Sequence, residues 1–303
     1  MTQTSALAPI DWTARWKAFQ AMRRRSDDAA YWDERSKTFT VADAPSTYVE
    51  DFLRLAAIRP GEAVLDMGCG TGALSIPLGA AGHEVVAADF SAGMLGVMER
   101  TLSEKSITSV RPVQMSWEDD WAAHGVGEKS VDVCVASRSM AVADLQAALD
   151  KLGRTARRRV CVTLATGSSP RMDNRVFRVM GLPEDVARDY LFAFNMLADG
   201  GFYPEVSYIR SVRHDRFSSR DDARERYLKM AEQALDQLGP SAQAAAQERL
   251  ERWLDEQLVP AGDSSSSLAK LHGAQPDEGA AEWLRLKDPQ ITTWAFLAWD
   301  VER

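Results

Sequence analysis

The period of the apolar positions changes along the chain, and each change marks a different kind of element. From Asp11 to about Ala57 the period is helical. Asp11 can cap a first helix, and "DDAAYWDERSKTF" reads as a second carrying Tyr31, Trp32 and Phe39. A third, "APSTYVEDFLRLAAI", has Ser46 as its cap, and Pro60-Gly61 closes it. Then come short, apolar, β-branched runs: "AVLDM" (63–67), "EVVAAD" (84–89), "VRPVQM" (110–115), "VDVCVAS" (131–137) and "RVCVTLA" (159–165). Helical patterns such as "SAGMLGVMERTLSEK" and "ADLQAALDKLGR" separate them. Strands alternating with helices of this length are βαβ units of a parallel sheet covered on both faces. A helix in "PEDVARDYLFAFNMLADGG" leads to a sixth strand, "YPEVSYIR", and "ITTWAFLAWDV" is the seventh and last.

Strands six and seven are separated by two long helical stretches, "SSRDDARERYLKMAEQALDQL" and "SAQAAAQERLERWLDEQLV", and a loop, "PAGDSSSSLAKLHGAQPDEGA". Ala223, Tyr227, Met230, Ala234 and Leu238 fall near one stripe, so the first of these helices should pack rather than float. The expected organisation is a helical cap over 1–57, an α/β core over 58–217 plus 289–303, and a helical insertion over 218–288. The insertion is read as a lid or acceptor-recognition element.

Composition narrows the classes. The chain has 303 residues, 45% of them hydrophobic, enough for a large core. Its formal net charge of -8 disfavours a dedicated nucleic-acid binder. The basic clusters Arg23-Arg24-Arg25 and Arg157-Arg158-Arg159 sit beside acidic or apolar sequence and read as a solvated helix face or the exposed turn before a strand. No run approaches the roughly 20 apolar residues of a membrane span. Cys69, Cys134 and Cys161 are too scattered for a zinc site or a disulfide framework, and a cytoplasmic location is expected.

The informative stretch is "VLDMGCGTGALSIPLGAAGHEVVAADF", 64–90. Gly68, Gly70 and Ala73 match the dinucleotide fingerprint, which leaves a nicotinamide or flavin cofactor open. A Walker loop is excluded, because no Lys-Ser or Lys-Thr follows the glycines. Asp66 closes the first strand beside the turn. There it would repel a pyrophosphate and attract an ammonium group.

"VLDMGCGTG" followed by "VVAADFSAGML" resembles the class I S-adenosylmethionine-dependent methyltransferases, over roughly residues 45 to 210. The resemblance implies a Rossmann-like, doubly wound, seven-stranded sheet, mostly parallel with the last strand antiparallel. It implies S-adenosylmethionine as cofactor and S-adenosylhomocysteine as product. In that family an acidic residue precedes Gly-x-Gly-x-Gly, here Asp66, Gly68, Gly70 and Gly72, with Cys69 as filler in the turn. Asp66 would lie near the cofactor ammonium, and the glycines would let the backbone approach the methionine moiety. The helix starting near Ala73 would face the methionine carboxylate. The second acidic residue, Asp89, would stand at the pocket mouth and accept the ribose hydroxyls. Phe90, Met94 and Trp117 would flank the adenine, with Glu118 as an alternative partner.

The acceptor is less legible. A sulfonium is already activated, so the protein must hold a nucleophile in line and exclude water, with a general base only where the nucleophile arrives protonated. Ligands of such sheets bind beyond the carboxyl ends of the strands. There the sequence offers Ser137, Arg138 and Ser139, then Ser168, Ser169, Arg171 and Asp173, then His214 as the base candidate. Arg138 could clamp a carboxylate or phosphate, or pair structurally with an acid. Tyr31 and Phe39 could roof the pocket. "ASRSM" after strand four is not the Asn/Asp-Pro-Pro-Tyr/Phe motif of amino-methylating nucleic-acid enzymes. No double-glutamate arrangement or magnesium site is evident. A small-molecule acceptor is expected, without a nucleic-acid, membrane or metal partner. The alternatives are a non-catalytic protein that binds the cofactor and a nicotinamide-dependent oxidoreductase.

Overall fold

The structure, a computed structural model, describes residues 10–22, 29–37, 46–167, 172–184, 188–261 and 283–302. Helix α1 (Trp12–Met22) opens at Asp11, whose Oδ1 accepts the Ala14 amide at 2.8 Å. Helix α2 (Ala29–Ser36) follows, then α3 (Thr47–Ala56), capped by the Ser46 hydroxyl as expected. Strands and helices then alternate: β1 (Val64–Met67), α4 (Ser75–Ala80), β2 (Val85–Asp89), α5 (Ala92–Glu104) and β3 (Val110–Gln114). They continue through β4 (Val131–Ala136), α6 (Leu145–Thr155), β5 (Ala156–Ala165), α7 (Asn174–Met180), α8 (Asp189–Asp199) and β6 (Glu205–Arg213). The chain ends with β7 (Arg216–Phe217), α9 (Arg220–Leu235), α10 (Pro240–Gln257), β8 (Leu258–Pro260), β9 (Leu284–Leu286) and β10 (Gln290–Asp300).

Seven strands form one sheet in the order β3-β2-β1-β4-β5-β10-β6. The first five pair in parallel, and β10 runs antiparallel. Strand β1 is hydrogen-bonded to both β2 and β4, so the winding reverses there, and the crevice at its carboxyl end is where such sheets bind ligands. All four β1 residues are buried, as a central strand covered by helices on both faces requires.

The chain divides into two compact units. The first comprises 1–164, 188–207 and 295–303. In it Trp16 of α1 is fully buried against Phe192 of α8 and donates its indole N–H to the Val142 carbonyl at 2.9 Å. Arg159, nearly buried on β5, reaches Glu205 at 2.9 Å and Asp300 at 3.1 Å. The cluster Arg157-Arg158-Arg159 is thereby structural, since Arg157 and Arg158 also pair, with Asp132 and Glu62.

The second unit comprises 165–187 and 208–294. Helices α7, α9 and α10 share a core of Val176, Phe177, Met180, Tyr227, Leu250 and Leu254. The α9 stripe is buried along Ala223, Tyr227, Ala231 and Leu235, with Met230, Ala234 and Leu238 at its margin. A small sheet, β7-β9-β8, completes the unit and was not expected from sequence. Its strands are two or three residues long, too short to express a period of two. Most of the serine-rich loop read as a lid lies outside the described residues.

Candidate functional site

The turn between β1 and α4 is built from glycines with distinct tasks. Gly68 and Gly72 have φ of 74° and 87°, the left-handed region that glycine adopts freely. A Cβ on Gly68 would stand 2.3 Å from Ser139 Cβ, and one on Gly72 would stand 2.8 Å from Met98 Sδ. Packing therefore demands both. Gly70 is different: φ is 56°, yet nothing lies within 4 Å of the position its Cβ would take. Its missing side chain leaves an open cradle at the carboxyl end of β1.

Beside that cradle is Asp89, the last residue of β2. Its Oδ2 accepts the Gly70 amide at 2.8 Å and its Oδ1 accepts the Ser91 amide at 2.9 Å. It is 6% exposed, so the expected place at a pocket mouth is corrected: the carboxylate is drawn inward to hold the turn. Burial raises its pKa, against the pull of the Ser91 and Gly70 amides. Asp66 is deeper still and lies behind the turn. Its Oδ2 accepts the Ser75 hydroxyl at 2.6 Å, which ties β1 to the first residue of α4. Burial, together with the nearby Asp89 charge, pushes its pKa up to about 7.

Sequence reasoning missed Asp33. This α2 residue accepts the Ser91 hydroxyl at 2.6 Å and the Gly93 amide at 2.9 Å on one oxygen, and so caps the start of α5. Those bonds, the Ser91 one foremost, hold its carboxyl below the usual range. Gly93 permits the approach, since a Cβ there would lie 2.6 Å from Ser36 Oγ. The two partners are 58 and 60 residues away, and no local pattern announces them.

The other expected cofactor residues are dispersed in exposure. Phe90 is half-buried and Met94 buried on α5; Trp117 is half-buried, 5.7 Å from the Trp121 ring, and Glu118 is exposed. Cys69 is buried, which pushes its thiol pKa well up and leaves it unreactive. Tyr31 lies on α2, edge-on to Trp32 at 5.4 Å. Phe39, Ser168, Ser169, Arg171 and the Arg23-Arg24-Arg25 cluster lie outside the described residues.

After β4, Ser137 Oγ and Thr163 Oγ1 meet the buried Tyr48 hydroxyl at 2.8 and 2.9 Å. The Arg138 guanidinium stands 4.5 Å over the Tyr48 ring, and the Ser139 hydroxyl donates to the Met67 carbonyl at 2.8 Å. The structure thus gathers Ser137, Arg138 and Ser139 next to the glycine turn. In the second unit, Asp173 is buried, paired with Arg175 at 2.7 Å, and caps α7. His214, also in that unit, is exposed in the β6–β7 turn beside the Arg213–Asp215 pair.

Residues 64–159 match the family model described as "Methyltransferase domain". That match runs from the start of β1 to the start of β5 and takes in the glycine turn. A relative from Haemophilus influenzae, an uncharacterized protein, is 30% identical over 182 residues, 59% of this chain and 66% of that one. A demethylmenaquinone methyltransferase of Clavibacter sepedonicus is 52% identical over 50 residues, 16% of this chain and 20% of that one. The chain thus spans just under two thirds of the first relative and a fifth of the second. A crystal structure titled a putative methyltransferase, from Bacillus halodurans, superposes with a TM-score of 0.50 at 12% identity, covering 85% of this chain and 100% of that one. It shares the fold of this methyltransferase domain. The site suits the S-adenosylmethionine expected from the sequence: an unfilled backbone cradle at Gly70 adjoins a carboxylate with lone pairs to spare. Among the described residues no helix is long and apolar enough to cross a membrane.

Proposed function

We propose that this chain transfers the methyl group of S-adenosylmethionine to a small-molecule acceptor by in-line displacement. The open cradle at Gly70 beside Asp89, at the point where the sheet reverses its winding, is the observation that carries the reading. Bound cofactor supplies a sulfonium methyl that needs no further activation, so the residues of this chain bind, orient and exclude water.

In this reading Asp89 accepts the ribose hydroxyls. Each of its oxygens receives one backbone amide, and a carboxylate oxygen can accept twice. Asp66 acts from behind the turn: it fixes the start of α4, and its negative charge favours an ammonium group in the cradle. Phe90 and Trp117 offer half-buried faces to the adenine, and Met94 supports that wall from α5. The small-molecule assignment draws on the net charge of -8 and on "ASRSM" after β4. The Clavibacter relative supports methyl transfer, but a match over 16% of this chain does not bring its quinone acceptor with it.

The test is methyl-labelled S-adenosylmethionine incubated with the protein and a cell extract split into small molecules, proteins and nucleic acids. Label should enter the small-molecule fraction. Label in protein or nucleic acid would refute the acceptor class, and bound cofactor with no transfer would favour a binding protein.

A further inference from the structure

We infer that Arg138 recognises an oxyanion, a carboxylate or phosphate, on the methyl acceptor. This rests on the methyl-transfer reading and narrows its substrate class. Arg138 leaves the carboxyl end of β4, one residue before Ser139, which bonds to the Met67 carbonyl and fills the space that the missing Cβ of Gly68 leaves. Arg138 is therefore adjacent in the chain to the residue that packs on the glycine turn, at the end of the sheet where the crevice lies.

Its backbone is left-handed, with φ at 59°, a conformation that is strained for arginine and free for glycine. Thr163 holds it there by accepting the Arg138 amide at 2.9 Å. Tyr48 supplies the platform. It is 2% exposed, and its hydroxyl is pinned by Ser137 and Thr163, so the ring on which the guanidinium rests cannot swing. A guanidinium held over a ring by its charge still has N–H donors to offer, since it carries five of them and the ring takes none as a hydrogen-bonded acid would.

Among the described residues the Arg138 charge is also left over. Arg157, Arg158 and Arg159 on β5 each pair with carboxylates, whereas Arg138 pairs with none among the described residues, although the chain carries 44 Asp and Glu. An exposed fork, immobilised at a backbone cost and without an acid among the described residues, is arranged for an anion that arrives with a ligand.

The experiment has two arms. First, protein saturated with S-adenosylhomocysteine is titrated with inorganic phosphate and separately with acetate, following arginine side-chain N–H signals by NMR. One arginine signal should shift saturably, and Arg138→Gln should abolish that shift while changing S-adenosylhomocysteine affinity by less than about two-fold. Second, labelled S-adenosylmethionine is offered with extract fractions separated on an anion exchanger. Label should enter an anionic compound, whose titration distinguishes carboxylate from phosphate. Arg138→Gln should lower kcat/KM for it by about 30-fold, mainly through KM, with partial recovery in Arg138→Lys. Arg138→Gly should melt at or above the wild-type temperature and be as inactive as Arg138→Gln, which separates function from folding. Absence of any saturable shift, or undiminished transfer by Arg138→Gln to a neutral compound, would overturn the inference. Failure to label any fraction would sink the methyl-transfer reading, while the titration still decides whether Arg138 binds an anion.

Discussion

Asp66→Asn should stabilise the cofactor-free protein near and above neutral pH and have little effect in acid. The wild-type carboxyl is 1% exposed, accepts the Ser75 hydroxyl and lies close enough to Asp89 to feel its charge. Its pKa moves from 3.8 in the unfolded chain to about 7 in the folded protein. Between those values the folded state holds a proton that the unfolded state has released. The stability this proton confers is complete below pH 3.8, falls as pH rises through the window, and is gone above about 7. A displacement of that size corresponds to about 4 kcal/mol, at about 1.4 kcal/mol per pH unit. Asparagine keeps a carbonyl oxygen for the Ser75 hydroxyl and cannot ionise. Urea unfolding from pH 5 to pH 8 should therefore show the variant gaining on wild type by about 3 kcal/mol, most of it before pH 7. The same variant should bind S-adenosylhomocysteine more weakly, because the charge behind the turn is lost. Parallel pH profiles for the two proteins would refute the burial argument.

Three further outcomes follow from the same geometry. Cofactor binding should tighten as pH rises toward 7, with net proton release below that value, because an ammonium group favours ionised Asp66; calorimetry in buffers of different ionisation enthalpy measures it. Asp89→Asn turns an amide group toward one of two backbone donors, so it should cost about 2 kcal/mol of stability in chemical unfolding, and it should weaken S-adenosylhomocysteine binding by about 30-fold. Gly68→Ala should lower the melting temperature by several degrees because Ser139 blocks the new methyl, whereas Gly70→Ala should cost about 1 kcal/mol of backbone strain and act chiefly on cofactor affinity.

The central sheet was legible because its inner strands β1, β2, β4 and β5 are largely buried and are linked by helices; all seven strands lie where the apolar runs place them. The glycine turn was legible because the family motif is local. What failed was non-local or very short. Asp33 reads as one acid among several on an exposed helix, and only the fold brings it to Ser91 and Gly93. Asp89 was placed at a pocket mouth because its sequence position says nothing of the two amides that draw it inward. Strands β7, β8 and β9 carry too few residues to show alternation, so "LRL" at 284–286 gives no strand signal. Arg138 was ambiguous between clamp and ion pair, and the Tyr48 platform that favours the clamp lies on α3, 90 residues earlier in the chain.

The most direct test of the central claim is a calorimetric titration of the purified protein with S-adenosylmethionine and, in parallel, with NADH. The cradle at Gly70 and the carboxylates at Asp66 and Asp89 predict saturable binding of S-adenosylmethionine at about micromolar concentration and no heat from NADH. Binding of NADH without binding of S-adenosylmethionine would contradict the account.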